Sequence, residues 1–489
     1  MDTNAQTSSA DTLSADTLSI SAPSPGQQPA AALRGTCGGD VVLPDDPRYD
    51  EARVPWSAAV SLRPAAIVYP RSAQDVVDVV RAAAGARLRV TAQGTGHNAR
   101  PLPDLSDVVL MKTSQMNEVT IDAERRIARV EAGALWIDVV QAATEHGLTA
   151  LHGSSPDVGV VGYSLGGGLG WYARAFGLQC NAITAVELVT ADGSQRRVDA
   201  ANDAELFWAL RGGGGNFGIV TALEFGLLPI DSVYGGMLVW DRAQAEPVLR
   251  RWLEWTTNAP DSVTTSFRIL QLPPMPELPE PLRGRSLAVI DGASLGSDDE
   301  ASELLAPLRA LSPEIDTFAR VPAASLVRMH MDPEGPTPSA SDSALLQVDA
   351  EAHERLIAAV LDVAGPTSGT SLLVAAELRQ LGGALSRPAP DAGALPVLPG
   401  NLLAFAVGIA ATPELAALAT KDSARTIAAL EPWTCEQEYL NYRERATDAR
   451  RGYEPAAAER LSALRAKVDP DGLFVANHPL PIGKEHAAL

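Results

Sequence analysis

Residues 152–178 read HGSSPDVGVVGYSLGGGLGWYARAFGL, and this stretch decides the fold. Six of its glycines lie between positions 159 and 170: Gly159, Gly162, Gly166, Gly167, Gly168 and Gly170. Positions without a side chain let a large planar or phosphorylated ligand lie against backbone N–H groups. A flexible linker would be polar throughout, whereas here Val, Leu, Trp and Tyr alternate with the glycines. The pattern therefore predicts a bed for a long ligand.

Length and charge limit the kind of partner. A chain of 489 residues is too long for one ordinary core, so two structural domains are expected. The net charge of −21 disfavours binding to nucleic-acid phosphates or to an anionic membrane face. We expect a small-molecule substrate, with neither nucleic acid nor membrane as partner.

The cysteines and the N-terminus suggest a simple cytoplasmic protein. Cys37, Cys180 and Cys435 have no metal-ligand spacing, so neither a disulfide framework nor a metal site is predicted. Residues 1–30 are rich in Ser, Ala, Thr and Pro and are interpreted as a disordered tail. They lack the features of a signal peptide, and no apolar run is long enough to span a membrane.

Outward from the glycine stretch, the preceding chain reads as strand, helix, strand. AAIVYP and RLRVTAQ flank a helix that Ser72 caps, with Asp75 three residues later. The following text predicts a strand, paired strands and a helix. From about Val233 strands alternate with Ala- and Leu-rich helices, which indicates a second α+β domain. The texture changes again at Glu438.

Two glycine motifs imitate a dinucleotide-binding fingerprint. GTGHNA follows a strand, but Pro101 and Pro103 prevent the helix that such a turn must open. The second match, in LRGGGGNFGIVTALEF, is followed by a strand pattern. No glycine run is followed by GK[ST], so a Walker-type site is also excluded. The loops are expected to serve a cofactor geometry of another kind.

Taken together, these motifs resemble the FAD-linked oxidases of the vanillyl-alcohol-oxidase superfamily, with a PCMH-type FAD-binding domain, in the berberine-bridge-enzyme-like branch. The motifs that carry the resemblance are IVYPRSAQDVVDVV, GTGHN, VGVVGYSLGGGLGWYARAFGL, LRGGGGNFGIVT, EYLNY and DPDGLF. The resemblance implies an α+β, two-lobed fold: a PCMH-type FAD-binding domain with an inserted substrate domain built on an antiparallel sheet flanked by helices. The implied boundaries are 31–232 for the FAD-binding domain, 233–437 for the substrate domain and 438–489 for the returning C-terminal segment.

The resemblance makes His97 the attachment point of FAD, through a covalent 8α-histidyl bond. A neutral imidazole is a competent nucleophile, and the bond makes the flavin a stronger oxidant; a histidine that merely caps the loop is the alternative. Many relatives carry a second link through a cysteine where this chain has Ser155, so a single link is predicted. A hydroxyl cannot replace a thiolate at neutral pH. Cys180 is interpreted as a small buried residue.

Further cofactor contacts follow from the resemblance alone. They are Gln93, Gly94, Thr95, Gly96, Asn98, Ser155, Val158, Gly159, Gly162, Tyr163, Gly166, Gly167, Gly168, Gly170, Gly218, Ile219, Val220 and Asn441. Gln93 and Tyr163 stand where relatives often have Arg and His. Tyr163 is therefore expected either to donate a hydrogen bond or only to pack.

Tyr442, in EYLNY, looks like the family's active-site tyrosine. In a strand Asn441 and Tyr442 point to opposite faces, so only a bend would bring both to the flavin. An aromatic side chain in a strand is often simply part of the core. His330, Arg379 and Gln380 are candidate substrate-pocket residues, although solvated strand ends would look the same.

The expected function is an FAD-dependent oxidase. It would transfer a hydride from a C–H bond beside oxygen or nitrogen to flavin N5, with reoxidation by O₂ giving H₂O₂. In the family the aliphatic residue near Val158 stands by the oxygen-reactive carbon of the flavin, and Val leaves more room than Leu. A dehydrogenase that uses another acceptor and a non-catalytic flavin-binding protein are the alternatives.

Overall fold

A computed structural model describes residues 27–276, 278–363 and 373–482. Of the predicted tail, residues 1–26 lie outside this part of the chain. The described chain begins with helix α1 (Gln27–Ala30), followed by a 3₁₀ turn over Ala31–Leu33.

The first sheet contains one antiparallel and two parallel strand pairs. Its strands are β1 (Val41–Val42), β2 (Ala66–Val68), β3 (Arg89–Gln93) and β4 (Val108–Lys112), in the order β1-β2-β4-β3. Helices α2 (Tyr49–Ala52) and α3 (Ala73–Gly85) connect them. The Ser72 side chain accepts a hydrogen bond from the Asp75 N–H, which confirms the predicted cap. No helix follows β3, so the interpretation of GTGHN as a false dinucleotide motif is confirmed.

The second sheet is antiparallel. Its strands are β5 (Val119–Asp122), β6 (Ile127–Glu131), β7 (Ile183–Val189), β8 (Gln195–Asp199) and β9 (Ile219–Gly226), in the order β5-β6-β9-β7-β8. The accompanying helices are α4 (Trp136–Thr144), α5 (Val160–Leu165), α6 (Ala173–Phe176) and α7 (Ala204–Leu210). Helices α5 and α6 lie inside the glycine-rich stretch, where no helix was predicted.

The third sheet has eight antiparallel strands. They are β10 (Ser232–Asp241), β11 (Val263–Gln271), β12 (Ser286–Ser294), β13 (Ile315–Asp316), β14 (Ala319–Pro322), β15 (Ser339–Leu346), β16 (Leu373–Gln380) and β17 (Leu402–Ile409). The strand order is β13-β10-β12-β11-β16-β17-β15, and β14 also pairs with β10. Its helices are α8 (Ala245–Thr256), α9 (Asp298–Arg309), α10 (His353–Val363) and α11 (Pro413–Ala428). Trp252 and Phe267 lie in the core between these helices and the sheet.

The C-terminal segment returns to the first half of the chain. After helix α12 (Pro455–Val468), the Val90 N–H donates to the Leu473 carbonyl and the Val475 N–H donates to the Val90 carbonyl, at 2.8 Å each. The largest hydrophobic cluster also crosses between the halves, because it contains Trp136 as well as Leu403. The two halves are therefore packed against each other through a shared hydrophobic core.

The predicted α+β, two-lobed fold with an antiparallel inserted sheet is confirmed. The domain boundaries at 31–232, 233–437 and 438–489 stay predictions. Leu440–Tyr442 form a 3₁₀ turn, so the strand alternation that would separate Asn441 from Tyr442 does not apply and the chain bends here. Among the described residues, no helix is both long and apolar enough to cross a membrane.

Candidate active site

The loop after β3 presents His97. Gly96 has φ +87°, and a Cβ at this position would lie 2.7 Å from the Pro55 Cβ, so a side chain would be both strained and crowded. The turn places the His97 imidazole in a stack on the Trp56 indole, with ring centroids 3.9 Å apart and planes 17° apart. A histidine is thereby fixed at the end of a buried strand.

Both ring nitrogens of His97 face oxygen atoms. Nδ1 lies 2.7 Å from the Thr95 hydroxyl, and Nε2 lies 3.7 Å from Oδ1 of Asp157. The other oxygen of Asp157 accepts hydrogen bonds from the Trp56 indole and the Gly335 amide, each at 2.6 Å. Burial acts to raise the pKa of Asp157, but these donors and His97 outweigh it and lower the pKa to about 2. A carboxylate is thus held beside the imidazole.

The polar atoms at this strand end fit a flavin cofactor. At this strand end, four buried atoms find no hydrogen-bond partner among the described residues: Gln93 Oε1, Gln93 Nε2, His97 Nε2 and Asn98 Oδ1. Buried polar atoms are nearly always paired, so unpaired ones clustered within six residues indicate a polar ligand. The hydrogen-bonding edges of FAD would supply such partners.

The missing side chains of the glycine-rich stretch leave room for different neighbours at different positions. At Gly94 and Gly159 the backbones of two loops abut, since a Cβ on Gly159 would lie 3.8 Å from the Gly94 Cα. At Gly166 a Cβ would lie only 1.9 Å from Oδ1 of Asn441, so the missing side chain makes room for protein. At Gly162 no described atom lies within 4 Å of a Cβ position.

Three of the glycine N–H groups in this stretch are hydrogen-bonded within the protein. The Gly166 and Gly167 N–H groups donate to the Gly162 and Ser164 carbonyls, and the Gly168 N–H donates to the Tyr439 hydroxyl at 2.9 Å. Gly170 makes room for the His152 carbonyl, which would lie 1.9 Å from a Cβ there. Carbonyls of helix α5 thus accept from two of these amides, and the Tyr439 hydroxyl accepts from the third.

Tyr163 both packs and donates. Its hydroxyl donates to the Leu151 carbonyl at 3.1 Å, and its ring lies edge-on to Trp136 with centroids 5.2 Å apart. Burial raises its pKa well above the ordinary value, so it stays a neutral phenol. The alternative of a hydrogen-bonding phenol therefore holds together with the packing role.

Ser155 is engaged by the inserted half of the chain. The hydroxyls of Ser154 and Ser155 donate to one oxygen of Asp332, at 3.1 and 2.6 Å.

Cys180 is fully buried, and desolvation raises its pKa to about 12, which confirms its interpretation as a small buried residue. Val158 is partly buried against the largest core cluster.

Strand β9 begins with Ile219 and Val220, and Gly218 immediately precedes it. Gly218 has φ +156°, and a Cβ there would lie 2.8 Å from the Val189 carbonyl oxygen. Ile219 and Val220 are buried in two different hydrophobic clusters. These side chains support the sheet, and their contact with a cofactor stays a prediction.

The 3₁₀ turn that carries Tyr442 ties the parts of the site together. The Asn98 side chain donates to the Leu440 carbonyl at 3.0 Å, and the Asn441 side chain donates to the Tyr163 carbonyl at 2.9 Å. The Ser343 hydroxyl donates to the Tyr442 carbonyl at 2.7 Å. One turn thus connects the His97 loop, helix α5 and the inserted sheet.

The Tyr442 phenol lies against a cation. Nη1 of Arg379 donates to its oxygen at 3.0 Å, and the Tyr439 ring stacks on it at 5.6 Å. Desolvation raises the pKa of Tyr442, while the Arg379 guanidinium opposes that rise. Arg443, the cation that follows Tyr442 in the sequence, is bound elsewhere, to Glu438 and to Asp342.

Behind Tyr442 lies a buried set of ions that we call the charged row: Arg268, Asp291, His330, Glu377 and Arg379. Its first half joins Arg268 to Asp291 by an ion pair, and Nδ1 of His330 lies 3.1 Å from the same carboxylate. The Ser266 hydroxyl donates to the other Asp291 oxygen at 2.5 Å. Burial raises the pKa of Asp291, but Arg268 and His330 reverse the shift and lower it.

The second half of the charged row reaches Tyr442. Nε2 of His330 lies 3.5 Å from Oε2 of Glu377, and Nε of Arg379 donates to Oε1 of Glu377 at 2.7 Å. Burial and Arg268 act to lower the pKa of His330. Three nearby carboxylates raise it to about 9, so the imidazole is protonated at neutral pH; they are Asp291, Asp332 and Glu377.

Of the three predicted pocket residues, two join this site. His330 and Arg379 lie in the charged row, and the Arg379 guanidinium also lies 5.6 Å from the centroid of the Trp171 ring. The Gln380 side chain instead accepts from the Thr265 hydroxyl at 3.1 Å. Side chains alternate along β16, so Gln380 faces away from Tyr442.

Sequence reasoning missed several groups of the site. They are Trp56, Asp157, Trp171, Arg268, Asp291, Asp332 and Glu377. Two of them carried a signal: Asp291 interrupts the apolar run SLAVIDGAS, and Glu377 stands two residues from Arg379 in a strand. A charge inside an otherwise apolar strand indicates a buried partner.

Comparison with known proteins agrees with this geometry. A family model described as an FAD binding domain matches residues 64–199. The uncharacterized FAD-linked oxidoreductase YgaK of Bacillus subtilis is 29% identical over 361 residues, covering 72% of this chain and 77% of that protein. The (R)-6-hydroxynicotine oxidase of Paenarthrobacter nicotinovorans is 33% identical over 209 residues, covering 42% and 46%. A variant of Physcomitrella patens BBE-like 1 superposes with a TM-score of 0.79 at 20% identity, covering 94% of this chain and 99% of that one.

Fold and family match together define a two-lobed FAD-linked oxidoreductase. Residues 64–199 form its FAD binding domain, the chain as a whole is similar to a protein named as an FAD-linked oxidoreductase, and its fold is that of the berberine-bridge-like proteins.

Proposed function

We propose that the protein is an oxidase of a small organic substrate. The reaction removes a hydride from a C–H bond beside oxygen or nitrogen, and O₂ takes up the two electrons and two protons to give H₂O₂. Bound FAD supplies the acceptor for the hydride and passes the electrons on to O₂. One relative of this chain is named as an oxidase of 6-hydroxynicotine, in which C–H bonds beside nitrogen occur.

One observation carries the proposal: the turn Leu440–Tyr442 is hydrogen-bonded on one side to the His97 loop and on another to helix α5. Tyr442 is thereby held in a fixed relation to the elements that carry the predicted flavin contacts. A positioned acid–base group next to a redox cofactor is what hydride abstraction from an alcohol or amine requires.

Tyr442 is the proposed base. Its phenolate oxygen would take the proton from the substrate O–H or N–H as the hydride leaves carbon. A free tyrosine has a pKa near 10 and is a poor base at neutral pH. The Arg379 guanidinium, 3.0 Å away, stabilises the phenolate by a charge-assisted hydrogen bond. The rate is therefore expected to rise with pH until the phenol is ionised.

His97 is the proposed single covalent anchor of FAD. Its imidazole is held by Trp56 and Thr95, and its Nε2 has no hydrogen-bond partner within residues 27–276, 278–363 and 373–482. Ser155 offers no second anchor, because its hydroxyl is bound to Asp332. The other predicted cofactor contacts belong to the same proposal.

An anaerobic substrate panel tests the function. Alcohols, sugars, phenols and secondary amines are mixed with the holoenzyme, and flavin absorbance is followed. Bleaching by one class, followed by rapid recovery and one H₂O₂ per substrate on admitting air, is expected. Bleaching with recovery over many minutes would support a dehydrogenase, and no bleaching by any class would support a non-catalytic flavoprotein.

A further inference from the structure

Charges alternate in sign along the charged row. In order they are positive, negative, positive, negative and positive, for Arg268, Asp291, His330, Glu377 and Arg379. The row ends at the neutral phenol of Tyr442. An ion chain buried this deeply is stable only when every member is paired. A change at any member therefore alters the balance at the phenol.

The strand register places the row on one face of the inserted sheet. Arg268 is directly opposite Glu377, and Ser266 is opposite both Arg379 and Asp291. Two carboxylates and two guanidiniums are thus fixed by β11, β12 and β16. His330 comes from outside the sheet, after the 3₁₀ turn Ala323–Arg328, and lies between the two carboxylates.

The geometry of Glu377 explains how Arg379 keeps its aim. Oε1 of Glu377 accepts from Nε of Arg379, which leaves Nη1 directed at Tyr442. Oε2 of Glu377 faces the imidazolium of His330 at 3.5 Å. Both carboxylate oxygens are thereby occupied, so the Glu377 side chain cannot turn without losing an ion pair.

The other ionisable groups near Tyr442 are one carboxylate and two neutral tyrosines. Asp332 lies near enough to act on its charge, and Tyr439 stacks on its ring. Tyr439 and Tyr163 both have raised pKa values caused by burial, so they stay uncharged. Arg379 and Glu377 are therefore the dominant and opposing influences on the phenol.

We propose that Glu377 and His330 are positioning residues: acting through Arg379, they hold its guanidinium on the Tyr442 oxygen and set how readily that phenol releases its proton. Glu377 opposes the effect of Arg379, and His330 limits that opposition by neutralising Glu377. The kinetic consequence rests on the proposed function of Tyr442 as base. The effect on the phenol itself does not.

The test is a sign pattern in the pKa of Tyr442. The pKa is measured in the holoenzyme by tyrosinate ultraviolet absorbance, after subtraction of Tyr442→Phe in the same background. Glu377→Gln keeps an Oε1 acceptor for Nε of Arg379 but removes the negative charge, so the Tyr442 pKa is expected to fall by about one unit. Arg379→Gln removes the nearest positive charge and is expected to raise it by about 1–3 units. His330→Gln is expected to raise it by less than Arg379→Gln does.

Two matched variants separate charge from loss of structure. Asp291→Asn combined with His330→Gln removes one charge of each sign and is expected to bring the pKa back towards the wild-type value. Glu187→Gln removes a carboxylate bound to Arg129 in the second sheet and should leave the pKa unchanged. Thermal unfolding of each variant is recorded alongside.

Shifts of one common sign, or no shift in Glu377→Gln and Arg379→Gln, would overturn the proposal. If a single variant fails to fold, the double variant Asp291→Asn with His330→Gln is used instead. A Tyr442 pKa shifted as far in this double variant as in Arg379→Gln would show that removing one charge of each sign does not restore the wild-type value, and would contradict the proposal. The alkaline limb of the anaerobic flavin-reduction rate is measured in parallel. One outcome is that the variants shift the Tyr442 pKa as expected while the alkaline pH dependence of the reduction rate stays unchanged. That result would contradict Tyr442 as the base but would leave the positioning role of Glu377 and His330 intact.

Discussion

At the end of strand β3, buried polar atoms of Gln93, His97 and Asn98 have no partner in the part of the chain that the structure describes, whereas on the inserted sheet the ions from Arg268 to Arg379 pair with one another. Unpaired buried polar groups are costly, so the first region favours a bound polar ligand. In the second region each ion lies against an opposite charge, although Arg268 Nε and His330 Nδ1 make no hydrogen bond, and Nη1 of Arg379 donates to Tyr442. We therefore expect a ligand to complete the hydrogen bonds at the end of strand β3, and the charged row to act on the phenol of Tyr442.

The largest expected effect lies in the first region. His97→Ala should convert flavin that stays with the protein after acid precipitation into flavin that is entirely released, because the imidazole is the proposed covalent anchor. Flavin fluorescence of the pellet and supernatant measures this. Peptide mapping of the wild type should place flavin on the His97 peptide alone; complete release from the wild type, or flavin on a Cys180 peptide, would contradict the assignment.

The next effect lies where the two regions meet. Tyr442→Phe should leave flavin content unchanged and slow anaerobic flavin reduction at least about a hundredfold, because loss of a positioned base costs about 10²–10⁴-fold. Tyr234→Phe, which also removes a hydroxyl but at the Arg309 contact in the inserted half, serves as control. A loss of less than about tenfold would be that of a binding contact and would demote Tyr442 to a pocket residue.

A smaller effect is expected at Val158, beside the ligand-dependent region. Val158→Leu should slow the reaction of reduced flavin with O₂ more than it slows reduction, because the larger side chain occupies the proposed oxygen path. Stopped-flow mixing of the reduced enzyme with aerated buffer separates the two rates. Val158→Ala is the matched control, and equal slowing of both half-reactions in Val158→Leu would argue against an oxygen path here.

The smallest effect concerns stability in acid. The folded pKa of Asp157, about 2, lies below its ordinary value near 3.8, so its stabilising contribution is present above about pH 4 and is lost as pH falls towards 2. We expect a contribution of about 1–2 kcal/mol, reduced by partial exposure. Asp157→Asn should lower the urea midpoint at pH 7 and flatten its decline in acid.

Trp56→Phe sharpens the same experiment. It removes one of the donors to the Asp157 carboxylate, so its acid dependence should fall between those of the wild type and Asp157→Asn. A decline as steep in Asp157→Asn as in the wild type would show that other carboxylates control the acid sensitivity.

Local patterns were predictable where the cause was local. Ser72 and Asp75 predict the N-terminal cap of the helix over Ala73–Gly85. The prolines after GTGHN exclude the helix that a Rossmann turn must open. The role of the glycines was only partly predictable. The Asn441 side chain occupies the space that a Cβ on Gly166 would need. Because Asn441 lies far along the chain, no local sequence rule connects the two residues.

The same limit explains the turn at Tyr442. Alternation along a strand would have separated Asn441 from Tyr442, but long-range hydrogen bonds from Asn98 and to Tyr163 bend the segment into a 3₁₀ turn. Gln380 shows the opposite case. Its neighbour Arg379 enters the site, while alternation directs Gln380 to Thr265.

By itself, the sequence determined the position of His97 in GTGHN and the lack of a thiol at Ser155, because each is a residue type in a fixed local order, whereas the two-lobed fold followed from the resemblance of its motifs to a known family. Only the tertiary structure decided that Arg379 rather than Arg443 reaches Tyr442, and that His330 lies between two carboxylates. These pairings join residues far apart in the chain. Their charge states depend on burial and on neighbours that no local pattern specifies.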